Sequence, residues 1–405
     1  MYPPGRNDTG LDHLPGMRGT ALPCISLRIL PGMRLGSVRL VSRRGPELRA
    51  MSLFVTDQLS TNHGTVLPVL ADRLRGTKFV ELPVRSVIND PEATGMGFWS
   101  INPYVGCEFG CSYCYARFAH RYAVERARDA GTIDASAFAD LGAPTGLESF
   151  EHRILVKSRE GVLTALERDL LRVRRRTARD GAQSILIGTA TDPYQPAERQ
   201  YQITRAVLTR LLGEAGLRIG IITKSPLVCR DIGLLKQVSR RHTLSVYISL
   251  ISMDPNVTRL FEARSPMPHV RLRALARLSA AGVRAGLIAA PILPGITDTV
   301  DQIRALLHAG RDMGARFVYP SPLRLYPGVR QRFLPILERH FPTLAPRYLA
   351  AYRDGWDTAD AYCRAVRRRF HRLATNYGIP DIDGGHAHAD GEPPRSTQLS
   401  LFEAA

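Results

Sequence analysis

From about residue 76 onward, short apolar runs alternate with longer amphipathic segments. Ser184-Ile-Leu-Ile-Gly188 reads as a strand and is followed by a helix near Glu198–Leu212. Arg218-Ile-Gly-Ile-Ile-Thr223 is the next strand, followed by a helix over Cys229–Ser239. Leu244-Ser-Val-Tyr-Ile-Ser249 comes next, with a helix over Pro268–Ala281 after a loop. Val283–Ala290 and Arg316–Tyr319 repeat the pattern. Strand–helix alternation at this spacing predicts parallel strands joined by crossover helices. The strands are nearly continuous in apolar character, as expected when both faces of a sheet are covered. The expected architecture is α/β, a barrel or open sheet of β/α units. Chemistry in such folds collects at the carboxyl ends of the strands.

The flanks differ in texture. Residues 1–75 mix Pro, Gly and Arg without periodicity and read as a poorly ordered basic extension, with Met51 a candidate natural start. The core is expected over 76–325. Residues 326–380 form a helical appendage, with Arg364, Arg367, Arg368, Arg369 and Arg372 on its faces. Residues 381–405 read as a disordered tail. No internal repeat is evident.

Length and composition narrow the class. A chain of 405 residues is enough for roughly two to three domains. An apolar fraction of 44% excludes a wholly disordered chain. No run of 18 apolar residues predicts a transmembrane helix. The best apolar stretch near the N-terminus, Ala21–Leu30, is interrupted by Pro23 and Arg28, so no signal peptide is expected. Six cysteines are too few for a disulfide scaffold, which fits a cytoplasmic protein with reduced thiols. Lys and Arg total 55 against 37 Asp and Glu, a net charge of +18. Such a balance suits a polyanion partner, nucleic acid first, and equally an Arg-rich proteome with solvated charges.

Three of the six cysteines fall in Asn102-Pro-Tyr-Val-Gly-Cys107-Glu-Phe-Gly-Cys111-Ser-Tyr-Cys114-Tyr-Ala-Arg117. The Cys-x3-Cys-x2-Cys spacing lets three thiolates converge on one metal centre, and Gly106 and Gly110 permit the tight backbone. Ordinary electron-transfer clusters take four cysteines. The remaining cysteines, Cys24, Cys229 and Cys363, are remote in sequence. Three ligands leave one iron of a [4Fe–4S] cluster open to substrate or cofactor. A zinc site completed by His120 is the competing reading, although zinc usually pairs two two-ligand knuckles across a longer gap. A single catalytic cysteine would not need three clustered thiols.

This segment resembles the radical S-adenosylmethionine (radical SAM) superfamily, and within it the spore photoproduct lyase-related branch. The resemblance extends to about residue 325 through Thr189-Ala-Thr-Asp192-Pro-Tyr-Gln-Pro196, Ile222-Thr-Lys224-Ser225, Arg230-Asp231, Ile248-Ser249 and Ala290-Pro-Ile-Leu-Pro-Gly295. It implies a partial (β/α)6 barrel with Cys107, Cys111 and Cys114 holding a [4Fe–4S] cluster. It implies S-adenosylmethionine (SAM) on the open iron, reductive cleavage to a 5′-deoxyadenosyl radical, and a flavodoxin- or ferredoxin-type reductant. Tyr113 is expected near the adenine. Thr191 and Asp192 are candidates for the SAM amino group, Lys224 for its carboxylate, and Ser249 for the ribose or carboxylate. Arg271 is a further carboxylate candidate. Tyr113 and Tyr115 are candidates to carry a radical. Spore photoproduct lyase returns a hydrogen atom from a cysteine at the end of the second strand. The matching stretch here, Gly188–Asp192, has no cysteine, and Cys229 reads as a buried helical thiol. No second cysteine cluster suggests a sulfur-inserting enzyme.

Near the C-terminus, Gln398-Leu-Ser-Leu-Phe402 resembles the short peptide by which bacterial DNA polymerases and repair proteins dock on the sliding clamp. Gln398 suits a pocket rim, and Leu401 and Phe402 an apolar cleft. The expected function is a radical SAM enzyme acting on DNA. The alternatives are the same chemistry on RNA, protein or a small molecule, and a non-enzymatic iron–sulfur module associated with DNA or the clamp.

Overall fold

The computed structural model describes residues 69–72, 77–94, 97–117, 125, 128–129, 131, 150–353 and 355–379. These fall in one compact unit, His63–Ala405. The clamp-like peptide, His120 and Cys24 lie outside the described residues.

Two sheets organise the chain. The larger contains β3 (Ile88–Asn89), β4 (Trp99–Ile101), β7 (Ser184–Ile187), β8 (Arg218–Thr223), β9 (Thr243–Ser249), β10 (Ala285–Ile292) and β11 (Val318–Pro322). Its order is β11-β10-β9-β8-β7-β4-β3, and every pairing is parallel except β3 with β4. Six parallel strands in chain order, without closure between β4 and β11, are the partial six-unit barrel expected from the sequence. Their side chains are buried, as in Leu244–Ser249, because helices pack on one face and strand side chains such as Tyr247, Ile288 and Phe317 pack together on the other.

The second sheet was not expected. It orders β1 (Val69–Asp72), β2 (Lys78–Leu82), β6 (Arg153–Lys157) and β5 (Tyr104–Val105) as β1-β2-β6-β5. Strand β1 moves the start of ordered structure ahead of residue 76, because Val69–Asp72 has a partner in Lys78–Leu82. Strand β5 forms the entrance to the cysteine loop, so this sheet supports the loop from below.

Helix positions depart from the sequence reading in three places, one being a short helix, Pro255–Phe261, in the stretch read as a loop after Ser249. The helix expected over Glu198–Leu212 is split into Glu198–Tyr201 and Ile203–Leu211. Gln202 between them takes φ 51°, and the buried Glu198 carboxylate accepts the Thr204 and Arg205 N–H groups at the new helix start. Cys229 lies in a short 3₁₀ turn, Pro226–Asp231, before the helix Ile232–Arg241.

The C-terminal helices follow the barrel strands, as expected, and pack against its core. Phe333, Leu337, Tyr348 and Tyr352 share one apolar cluster with Cys107, Phe109, Cys111 and Tyr113. Val366 and Phe370 of the last helix, Asp360–Asn376, join the main core under the large sheet. The exposed arginines of that helix occupy its opposite face. Among the described residues, no helix is long and apolar enough to cross a membrane.

Candidate active site at the cysteine loop

The cysteine loop begins directly after β5 and is stitched to the β7 loop by the residues between. Asn102 donates to the Thr189 hydroxyl at 3.2 Å and accepts from the Ala190 N–H at 2.8 Å. The Thr191 hydroxyl donates to the Gly106 carbonyl at 2.6 Å. Gln195 joins the same group, donating to the Thr191 hydroxyl at 3.0 Å and accepting from the Glu108 N–H at 2.9 Å. Gly106 is required by geometry. Its φ is +90°, and a Cβ there would sit 2.7 Å from the Phe150 carbonyl oxygen. That carbonyl accepts the Cys107 N–H at 3.0 Å, so the close approach fixes the first cysteine.

The far side of the loop is held by later parts of the chain. Ser112 N–H donates to the Phe261 carbonyl at 2.9 Å, and the Cys111 sulfur lies 3.7 Å from the Ser265 hydroxyl. Arg117, fully buried, pairs with Glu151 at 2.6 Å, and Arg332 closes on the other carboxylate oxygen at 2.5 Å.

All three thiols are reduced, with Cys107 and Cys111 buried and Cys114 half-buried. Burial pushes the Cys107 thiol well up, and its neighbours Asp192, Cys111 and Cys114 add to the effect. Burial lifts Cys111 to about 11 against the opposing Lys224 ammonium. Burial also raises Cys114, with Arg117 opposing. Three crowded, buried thiols resist ionisation together, and a positively charged centre is what would reverse that. Among the described residues no group of three His, Cys, Asp or Glu side chains is set to hold a single metal ion. A cubane takes one thiolate per iron, a wider spacing than ligation of one zinc requires. The donor set, all sulfur on one loop beside two cations, fits an iron–sulfur cluster.

Opposite the thiols, the carboxyl ends of β8 and β9 supply the polar groups. Thr223 pairs in register with Ile248, which places Lys224 beside Ser249. The Lys224 ammonium lies 3.7 Å from a Glu262 oxygen and 5.9 Å from the Tyr113 ring centroid. Glu262 is fully buried and is paired with Arg271, also fully buried, while accepting the Tyr113 hydroxyl. Burial works to raise the Glu262 carboxyl, but Arg271 and Lys224 outweigh it and hold it below its ordinary range. Burial likewise opposes the Lys224 charge, and Cys111 and Glu262 more than restore it.

The sequence-expected residues therefore fall into two groups. Cys107, Cys111, Cys114, Tyr113, Lys224 and Ser249 converge at the strand ends. Thr191 and Asp192 border the same centre, Asp192 acting on the Cys107 thiol, and both also hydrogen-bond the scaffold. Asp192 accepts from the Thr223 hydroxyl at 2.6 Å and from the Lys224 and Tyr194 N–H groups at 2.7 and 2.9 Å. Arg271 donates to the Ser249 and Pro266 carbonyls at 2.9 and 2.7 Å and faces Glu262 rather than open space. Tyr115 lies at the rim, 37% exposed, its hydroxyl on the Thr189 carbonyl. Cys229 is buried in the main core, away from this group. Glu262 was not singled out by the sequence. Its one signal was a position in the loop region that follows β9.

The radical SAM superfamily model matches residues 101–307, just over half of the chain. The chain belongs to the radical SAM superfamily. Membership implies a [4Fe–4S] cluster and SAM. An uncharacterized protein of Mycobacterium tuberculosis is 30% identical over 344 residues, covering 84% of this chain and 92% of that one. An uncharacterized protein of Methanocaldococcus jannaschii is 25% identical over 221 residues, covering 55% and 70%. Among solved structures, spore photoproduct lyase complexed with a dinucleoside spore photoproduct has a TM-score of 0.53 at 14% identity, over 75% of this chain and 80% of that one. A mutant of the lyase with bound AdoMet and the same photoproduct gives 0.54 at 14% identity, over 80% and 88%. The radical SAM chain described here shares that fold.

Proposed function

We propose that this radical SAM enzyme acts on DNA, as a lesion-repair or base-modifying enzyme, with Cys107, Cys111 and Cys114 holding its cluster. The observation that carries the assignment of the site is the three-thiol loop facing Lys224, Glu262 and Tyr113 across the strand ends. Cys107, Cys111 and Cys114 would hold the cluster, which would supply the single electron for reductive cleavage of SAM.

The chain's own residues prepare that step. Lys224 offers an ammonium to the SAM carboxylate, and Glu262 holds it beside Cys111. Tyr113, tied down through its hydroxyl, presents a fixed ring face to the adenine. Ser249 offers a hydroxyl on the neighbouring rung. The apolar cluster of Phe261, Phe333 and Tyr348 keeps water from the thiols, which a radical reaction requires. Tyr115, at the rim, stands between this centre and the outside.

The DNA reading rests on the net charge of +18 and on fold likeness to a lyase whose solved structure contains a dinucleoside photoproduct. A base must leave the helical stack to reach so enclosed a centre. With no cysteine in 188–192, return of hydrogen to a lesion must come from another group, and Tyr115, exposed next to Cys114 in the chain, is a candidate.

The test uses anaerobically reconstituted protein with dithionite and SAM. Formation of 5′-deoxyadenosine is measured alone, with intact DNA and with ultraviolet-irradiated DNA, against Cys111→Ala as blank. Product rising only with irradiated DNA supports repair, and a rise with either DNA supports base modification. Equal, slow product in all three removes DNA as substrate. No product beyond the blank removes the enzyme reading.

A further inference from the structure

Three aromatic rings lead outward from the cysteine loop. Tyr115 follows Cys114, and its ring lies 6.4 Å from that of Tyr326, tilted by 39°. Tyr326 lies 5.4 Å from Trp356 with an interplanar angle of 14°, a stacked pair. Trp356 ends the series with half of its surface exposed.

An exposed tryptophan in a loose loop would carry little meaning. Trp356 is held in place. Its carbonyl accepts the Leu325 N–H at 2.6 Å, and Arg330 donates to the carbonyls of Tyr352 and Gly355 just before it. Tyr326 stacks on the indole, and half of the tryptophan's surface is still exposed. An exposed ion pair borders the rings. Arg324 is 59% exposed, hydrogen-bonds the Tyr326 hydroxyl, and meets Asp357 at 3.0 Å in a pair exposed on both sides. Such a surface pair is weak and exchanges readily for a phosphate.

We propose that Trp356, backed by Tyr326, is a stacking platform for an unpaired nucleobase, with Arg324 taking the adjoining phosphate. The proposal rests on the nucleic-acid reading given above and deepens it. A flat ring pair suits a base because every base has a π-face, and stacking is tolerant of sequence. The platform stands one ring beyond Tyr326 from Tyr115. It therefore holds a strand at the mouth of the site, beside the nucleotide that must enter.

The chain has two tryptophans, and Trp99 is 2% exposed, so a base that stacks changes the emission of Trp356. Reconstituted protein is titrated with a thymidine 12-mer and with a duplex of the same length. Tryptophan emission is followed alongside anisotropy of the labelled oligonucleotide. The single strand should quench wild-type emission saturably and bind more tightly than the duplex. Trp356→Ala should lose the quench and bind roughly 5- to 100-fold more weakly, while Trp356→Phe stays within a few-fold. Arg324→Gln should flatten the dependence of log affinity on log salt by about one charge, which Trp356→Ala leaves unchanged. Oligonucleotide binding that is indifferent to Trp356 overturns the platform and leaves the nucleic-acid reading standing. No oligonucleotide binding by any variant overturns both. A wild-type circular dichroism spectrum and urea midpoint in Trp356→Ala show that the variant is folded.

Discussion

Replacing Glu262 by glutamine should destabilise the protein far more than most isosteric changes do. The carboxylate is fully buried, lies between the Arg271 guanidinium and the Lys224 ammonium, and accepts the Tyr113 hydroxyl. Glutamine preserves volume and one acceptor oxygen, so the change removes the charge and turns the other acceptor into a donor. Removing one partner of a buried ion pair costs about 3–5 kcal/mol, because the other charge is left without compensation. Lys224 retains 17% exposure and can turn to water, whereas Arg271 has none, so the lower end applies, ~3 kcal/mol. Replacing both members of such a pair is often nearly neutral. Adding Arg271→Met to Glu262→Gln should therefore recover part of the loss. It will not recover all, since the Ser249 and Pro266 carbonyls lose their donor, at about 1 kcal/mol each. The assay is urea unfolding of wild type, both single variants and the double variant at equal iron content, with the m-value checked for constancy. A Glu262→Gln cost under about 1 kcal/mol, or a double variant as unstable as the sum of the singles, would refute the argument.

Three further outcomes are expected. Gly106→Ala places a Cβ 2.7 Å from the Phe150 carbonyl oxygen at φ +90°, so iron retained per chain after reconstitution should fall below half of wild type; full iron content would show that the loop relaxes freely. Burial lifts the Cys111 thiol to about 11, so between pH ~8.5 and that value the folded, metal-free chain keeps a proton that the unfolded chain has lost. Its stability should fall as pH rises through that window, by on the order of 2 kcal/mol more than in Cys111→Ala, and parallel pH profiles of the two would contradict it. A peptide of residues 390–405, which contains Gln398–Phe402, should bind a bacterial sliding clamp saturably below ~100 μM, or about −5.5 kcal/mol, and a flat titration removes that partner.

The large sheet was legible because its strands are buried on both faces and read as continuous apolar runs. Arg218–Thr223 matches in both bounds, and Thr243–Ser249 differs by one residue. The small sheet was not legible. Strand β5 is two residues long, and β2 pairs with β6 across a long stretch of chain, so neither leaves a local period. The cysteines were legible from spacing alone, since three ligands on one loop need no tertiary information. The charges around them were legible only in part, with Lys224 and Arg271 named as SAM candidates and Glu262 missed. Arg271 lies on a helix whose sequence looks like any other basic helix, and Glu262 is one of 37 acids. Only the fold brings those two together with Lys224. Thr191 and Asp192 show the converse. They were legible as residues beyond a strand end, yet their hydrogen bonds turn inward to the Gly106 carbonyl and the start of the β8 loop.

The contacts that clamp the cysteine loop also set an order of events during synthesis. Cys107, Cys111 and Cys114 emerge early, but Phe261, Ser265 and Arg332, which pin and bury the loop, lie far downstream. Arg332 follows Cys114 by roughly 220 residues, which a ribosome adds in about 10–40 s. Through that interval the three thiols are open to solvent, oxidant and any available iron. The cluster loop is thus a pocket that the nascent chain closes last, and cells that assemble this protein must either keep those thiols reduced or deliver the metal before the C-terminal helices dock.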